Sequence, residues 1–181
     1  WLRDRATDRQ LNLPFSRIDE RTGRSLAPPR GCDLSLRISL LAQIDAGEAK
    51  RLYAEYVRSF WSDQGLVRGF REWPPGHNAP GDVDSGPILA GIGMSASGLG
   101  ISAARAGGDD QRAEMLAVQV LGFQQAMAQL SQLSAAMKPA QKQPPKATSP
   151  YVTGFLFGDA ALFYSVTWRG WKKIATQPAQ D

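Results

Sequence analysis

The sequence predicts an all-α fold of about five helices paired as antiparallel hairpins. Three observations predict it. Apolar residues recur at helical spacing, as in Ala49, Leu52, Tyr53, Tyr56, Val57, Phe60 and Trp61. Cap chemistry brackets such runs: Asp45 with Glu48 three residues on, and Gly107 with Gly108 ahead of Asp109 and Asp110. No window alternates apolar and polar residues convincingly enough for a strand.

Residues 1 to 12 read as the tail of a helix and 13 to 32 as a loop. Within that loop the turn chemistry of Asp19 to Gly23 can join two short extended segments, and Pro28, Pro29 and Gly31 close it. A first helix follows from Asp33, a suitable N-cap, through Leu34, Ile38, Leu41 and Ile44. A second begins after Asp45 and ends near Gly65, which makes a hairpin with the first. Residues 66 to 84 read as a loop. A third helix is expected from Ser85, with Pro87 in its first turn, to about Arg105. A fourth runs from Asp109 or Asp110 to about Met137, with Leu116, Val120, Phe123, Met127, Leu130, Leu133 and Met137 on its apolar face. Residues 138 to 150 are polar and proline-rich, a linker or mobile loop. Residues 151 to 157 are short and apolar. A last helix starts at Gly158 and Asp159 and passes through Trp168 to Trp171, and residues 172 to 181 form a solvated tail.

The chain has 181 residues, 43% of them apolar and 21% charged, enough for a single helical domain or fragment with its own core. Its net charge of +4 is mild. The N-terminal arginines (Arg3, Arg5, Arg9, Arg17, Arg21, Arg24, Arg30) are interleaved with Asp4, Asp8, Asp19 and Glu20, so the one-signed patch that nucleic acid requires is missing. The single cysteine, Cys32, leaves no disulfide within the chain and no paired-cysteine metal site. The single histidine, His77, argues against catalytic zinc. Gly91-x-Gly93 and Gly98-x-Gly100 fall inside a helical run, so they read as close-packing residues and not as a dinucleotide loop. No metal and no cofactor is called for. Residues 85 to 104 carry no charge, but glycine and serine make the run too weakly hydrophobic for a membrane span, and a buried helix is expected instead. No signal peptide is visible, and an opening at Trp1 that looks like the end of a helix favours a fragment.

The chemistry-bearing residues concentrate in one stretch. Between Gly69 and Pro87 lie Arg71, Glu72, His77, Asp82 and Asp84, with Phe70 and Trp73 among them. Pro74, Pro75, Gly76, Pro80 and Gly81 exclude a helix or central strand there. A carboxylate-rich loop anchored on a buried helix is a common way to present a site. If Phe70 and Trp73 cover Glu72, desolvation raises its proton affinity and suits it to general acid work; its plain alternative is an ion pair with Arg71. Asp82 and Asp84 precede an expected helix N-terminus, which favours their ionised form and suits a base or a hydroxyl ligand; the plain alternative is a cap. An extended Asp-Val-Asp puts both aspartates on one side. An acid, a base and aromatics that stack on sugar faces are what glycoside chemistry needs, and a dehydratase or isomerase uses similar parts. Trp73, Arg71 and His77 would bind substrate, His77 being otherwise simply exposed. Arg30, with Arg17 and Arg24, offers a contact for a substrate carboxylate or phosphate, or else pairs with Asp19, Glu20 and Asp33. A Cys32 nucleophile would need His77 and has no local signature.

The motifs G-F-R-E-W-P and G-D-V-D-S-G-P, the small-residue helix ending A-A-R-A-G-G-D, and the upstream R-I-D-E-R-T-G-R-S-L-A-P-P-R-G together resemble the C-terminal half of a family of bacterial (α/α)6-barrel proteins. That family is distantly similar to linalool dehydratase/isomerase and to six-hairpin glycosidases. The resemblance spans residues 13 to 171. It implies half of an (α/α) toroid whose missing N-terminal hairpins are supplied by another segment or a second copy of the chain, and it slightly favours a cell-envelope location. The loop carboxylates, read beside that resemblance, point to an acid/base domain, glycosidase-like or dehydratase/isomerase-like, with Glu72, Asp82 and Asp84 as the expected catalytic residues. The alternative is a non-catalytic glycan-binding or assembly module of a larger cell-envelope protein.

Overall fold

A computed structural model describes residues 5–82, 85–137 and 156–170. The expectations for residues 1–4, Asp84, the 138–150 linker, the 151–155 stretch, Trp171 and the tail lie outside the described residues.

Short antiparallel hairpins carry the N-terminal third. Strand β1 (Thr7–Asp8) pairs with β2 (Leu13–Pro14), and β3 (Arg17–Ile18) with β4 (Ser25–Ala27). The expected turn at Asp19 forms: its Oδ1 accepts the backbone N–H of Thr22 at 2.8 Å and of Arg21 at 3.1 Å. Helix α1 (Gly31–Leu41) follows, then α2 (Ala46–Phe60). Asp45 caps α2 as expected, its side chain accepting the Glu48 N–H at 2.9 Å. Strands β5 (Trp61–Asp63) and β6 (Arg68–Phe70) form a hairpin, and so do β7 (Ile88–Leu89) and β8 (Ile92–Gly93). Helix α3 (Met94–Gly107) then leads through a left-handed Gly108 to α4 (Asp110–Met137), and α5 (Leu156–Thr167) closes the described fold.

The all-α expectation is therefore overturned. The described residues hold five helices and four two-stranded antiparallel sheets, a mixed α/β architecture, and the helices do not make a clear (α/α) toroid. Strands of two or three residues are too short to show a period of two, and they gain their stability from docking on helices. Three boundaries move for the same reason. Helix α1 starts at Gly31, so Asp33 lies in its first turn and pairs with Arg37 at 3.0 Å instead of capping. Helix α2 stops at Phe60, and Gly65 serves the β5–β6 turn at φ +78. The third helix starts at Met94, not Ser85, because Ala90 and Gly91 adopt left-handed backbone (φ 50 and 81) and reverse the chain between β7 and β8. Of the helix tail expected over 1 to 12, Arg5 is helical but Thr7–Asp8 already form β1, and residues 168–170 lie beyond the end of α5.

The core sits where α3 meets α1, α2, α4 and α5. Small residues make that approach possible: Ala96, Ser97, Gly100, Ala103 and Ala104 are buried along α3. Tyr56 and Phe70 stack against it with ring centroids 4.2 Å apart and an interplanar angle of 11°. Such a pair contributes about 0.5–1.5 kcal/mol beyond the area it buries. The Tyr56 hydroxyl, buried, donates to the Gly31 carbonyl at 2.9 Å and shares a hydrogen bond of 2.9 Å with Ser35 Oγ, which donates to the Ala96 carbonyl. One phenol thus ties α1, α2 and α3 together. Among the described residues no helix is long and apolar enough to cross a membrane.

Candidate functional site

Backbone hydrogen bonds at two successive residues set up the site. Arg71 N–H donates to the Phe60 carbonyl at 2.8 Å, Glu72 N–H to the Gly91 carbonyl at 3.1 Å, and the Glu72 carbonyl accepts Gly31 N–H at 2.9 Å. The continuation of β6 is thereby clamped among the end of α2, the β7–β8 turn and the start of α1. Glycine at 31 is obligatory for that approach: a Cβ there would stand 2.0 Å from the Arg71 carbonyl oxygen and 2.9 Å from the Ala96 Cβ.

This clamp delivers Glu72 to Arg30. Glu72 is fully buried, and its Oε1 accepts Arg30 Nε at 2.5 Å. The same guanidinium reaches across the loop to donate from Nη2 to Asp82 Oδ1 at 2.5 Å, and it lies 5.1 Å from the centre of the Trp73 ring. Asp82 is half exposed and has a further duty: its Oδ1 accepts Ser85 N–H at 3.0 Å, while its own N–H donates to Ser85 Oγ at 2.8 Å. These reciprocal bonds fold the loop back upon itself. Two more facts mark the cluster. Glu72 Oε2 and Trp73 Nε1 are buried and have no hydrogen-bond partner among the described residues. Such groups are uncommon in folded proteins.

Burial pushes the Glu72 carboxyl above its ordinary range; the Cys32 thiol and Arg30 beside it pull in the opposite direction, and Asp82 pushes up. Burial, then Glu72, lifts the Cys32 thiol far above the usual thiol range, so it is not a nucleophile at neutral pH. Asp82 in turn leads the contacts that hold Arg30 firmly protonated.

Next to the cluster runs an open groove of about 330 Å³, lined by Phe15, Pro28, Pro74, Pro75 and His77, with Asp8, Gln10 and Ser25 among its polar residues. Its volume lies in the range of small-ligand sites.

The structure brings together Glu72, Asp82, Trp73 and Arg30, and it puts His77 on the adjoining groove. Arg71 is set apart, its Nη1 lying against Gly91 in the β7–β8 turn, 3.1 Å from where a Cβ would stand. Asp84 lies outside the described residues. The ion pair weighed for Glu72 forms with Arg30 rather than Arg71, and Arg30 takes Glu72 and Asp82 rather than Asp19, Glu20 or Asp33. The partnership of Cys32 with Glu72 and the place of Phe15 in the groove are not foreshadowed in the sequence. Nothing local marks Phe15, whereas D-x-x-S at Asp82 to Ser85 was a visible turn signal. Comparison with protein families, curated proteins and solved structures finds no match to this chain.

Proposed function

We propose that this face of the molecule is a binding site for a hydroxylated, sugar-like ligand, with the ring seated in the groove between Phe15 and His77 and its hydroxyls reaching toward Asp82 and Trp73. One observation carries the reading: a groove of ligand size, walled by aromatic and proline side chains, adjoins a guanidinium fixed by two carboxylates. Aromatic walls with a few placed polar groups suit carbohydrate rings. Because Glu72 and Asp82 are both engaged by Arg30, and Asp82 also closes a turn, binding without turnover is favoured over acid/base catalysis. A second reading has its own support. The buried, unpartnered Glu72 Oε2 and the upward shift of that carboxyl suit a proton donor, which would make this an acid/base domain acting on a hydroxylated or glycosidic substrate.

Titration of the isotope-labelled chain with neutral oligosaccharides, read by NMR, tests both. Saturable shifts at the Trp73 indole, Phe15 and His77, weakened about tenfold in Asp82→Asn, are expected. If a chromogenic glycoside is also turned over, and Glu72→Gln abolishes turnover while binding persists, the proton-donor reading replaces the binding one. Absence of any saturable shift at those three residues rules out both.

A further inference from the structure

A second cavity lies at the C-terminal end of α5 and shares no lining residue with the groove beside the Arg30 cluster. It is about 510 Å³ and is lined by Arg105, Val166, Thr167, Trp168 and Arg169. Its walls are fixed by contacts from two other helices. Arg105, on the last turn of α3, donates through Nη1 to the carbonyls of Val166 and Ser165, which close the C-terminal turn of α5. The Trp168 indole N–H donates to the Ser39 carbonyl of α1 at 3.2 Å, and Gln43 Nε2 donates to the Arg169 carbonyl at 3.4 Å. These contacts fix the Arg105 guanidinium, the Trp168 indole and the Arg169 backbone, while the Arg169 side chain is exposed at the cavity.

The charges there do not balance. The described lining holds two arginines and no carboxylate, and neither arginine makes an ion pair among the described residues. The carbonyls at the end of a helix supply only about half a negative charge, against two whole positive ones. Six described arginines, Arg30, Arg37, Arg51, Arg58, Arg68 and Arg112, meet carboxylates, whereas Arg17, Arg24 and Arg71, like Arg105 and Arg169, form no ion pair among the described residues. Guanidinium groups are a usual recognition element for oxyanions.

We propose that this cavity is an oxyanion site that takes the carboxylate or phosphate group of a small ligand between Arg105 and Arg169. The site is separate from the sugar-like site and independent of that reading.

The test titrates the labelled full chain with inorganic phosphate and, separately, with acetate, at ionic strength held constant with sodium chloride. Saturable shifts of the Trp168 indole and the Arg105 Nε–H are expected with at least one of the two, and which one responds assigns phosphate or carboxylate. Arg169→Gln is expected to weaken that binding about tenfold without lowering the melting temperature, while Arg169→Lys retains most of it. Shifts that grow linearly with either anion, or that are unchanged in Arg169→Gln, overturn the proposal. Because Arg105 also holds the end of α5, Arg105→Lys is the variant to use at that position, and it is expected to fold and to bind more weakly.

Discussion

Arg30 and Arg105 are both partly withdrawn from water and both tie distant elements together, yet they are satisfied in opposite ways. Arg30 meets two carboxylates, one of them fully buried, and so belongs to a closed ionic cluster. Arg105 meets only backbone carbonyls and shares a cavity with a second arginine. The first arrangement spends its charge inside the protein and rigidifies a loop. The second leaves two arginines without a carboxylate partner among the described residues, both lining a ligand-sized space. On the two proposals above, the contrast separates a cluster that would position a site from one that would itself attract a ligand.

Four substitutions and a pH measurement break or sharpen that contrast. The largest effect is expected for Arg30→Met, which strands Glu72 as a buried carboxyl without its cation. A loss of about 3–5 kcal/mol in denaturant unfolding is expected at pH 7, the usual cost of breaking a buried pair from one side. A loss near that of an exposed pair would mean that Glu72 is already protonated and the cluster is not ionic. Next comes Gly31→Ala, where the new methyl meets the Arg71 carbonyl and Ala96. Overpacking against backbone should cost about 3 kcal/mol, checked by thermal unfolding. Arg105→Met removes two hydrogen bonds from a charged donor at a helix end, and about 1–2 kcal/mol is expected.

The pH measurement concerns Glu72. Burial raises its value above 4.5, so the folded chain holds that proton more tightly than the unfolded chain does. Its stabilising contribution is full below pH 4.5 and is lost as pH rises through the raised value. Glu72→Gln cannot titrate, so the decline in stability across that window should be shallower in the variant than in the parent. Equal slopes would show that Arg30 cancels the desolvation completely. The smallest effect is expected at the surface. Arg68→Met breaks an exposed pair with Asp63 at 3.1 Å, and no measurable change in unfolding should follow.

Local features were legible in the amino-acid order. Asp45 and Glu48 marked the start of α2, Gly108 and Asp109 the junction of α3 and α4, and Asp19 the turn of the second hairpin, because caps and turns depend on side chains within a few residues of the backbone groups they satisfy. The spacing of Leu52, Tyr56 and Phe60 fixed the buried face of α2 for the same reason. The region of the candidate site was legible too, since proline, glycine and carboxylates cannot all be accommodated in a helix. The tertiary structure decided the rest. Strands two or three residues long carry no readable period, so β5 reads as the end of the second helix, β6 as part of the 66–84 loop, and β7–β8 as the start of the third helix. Arg30 has nearer acidic neighbours in sequence, but it pairs with Glu72 and Asp82, 42 and 52 residues away, because a glycine at 31 lets the β6 backbone press against α1. Arg105 and Arg169 come to one cavity only where α5 crosses α3. Ionic partners and cavities are set by which surfaces pack together, and no neighbourhood in the sequence encodes that.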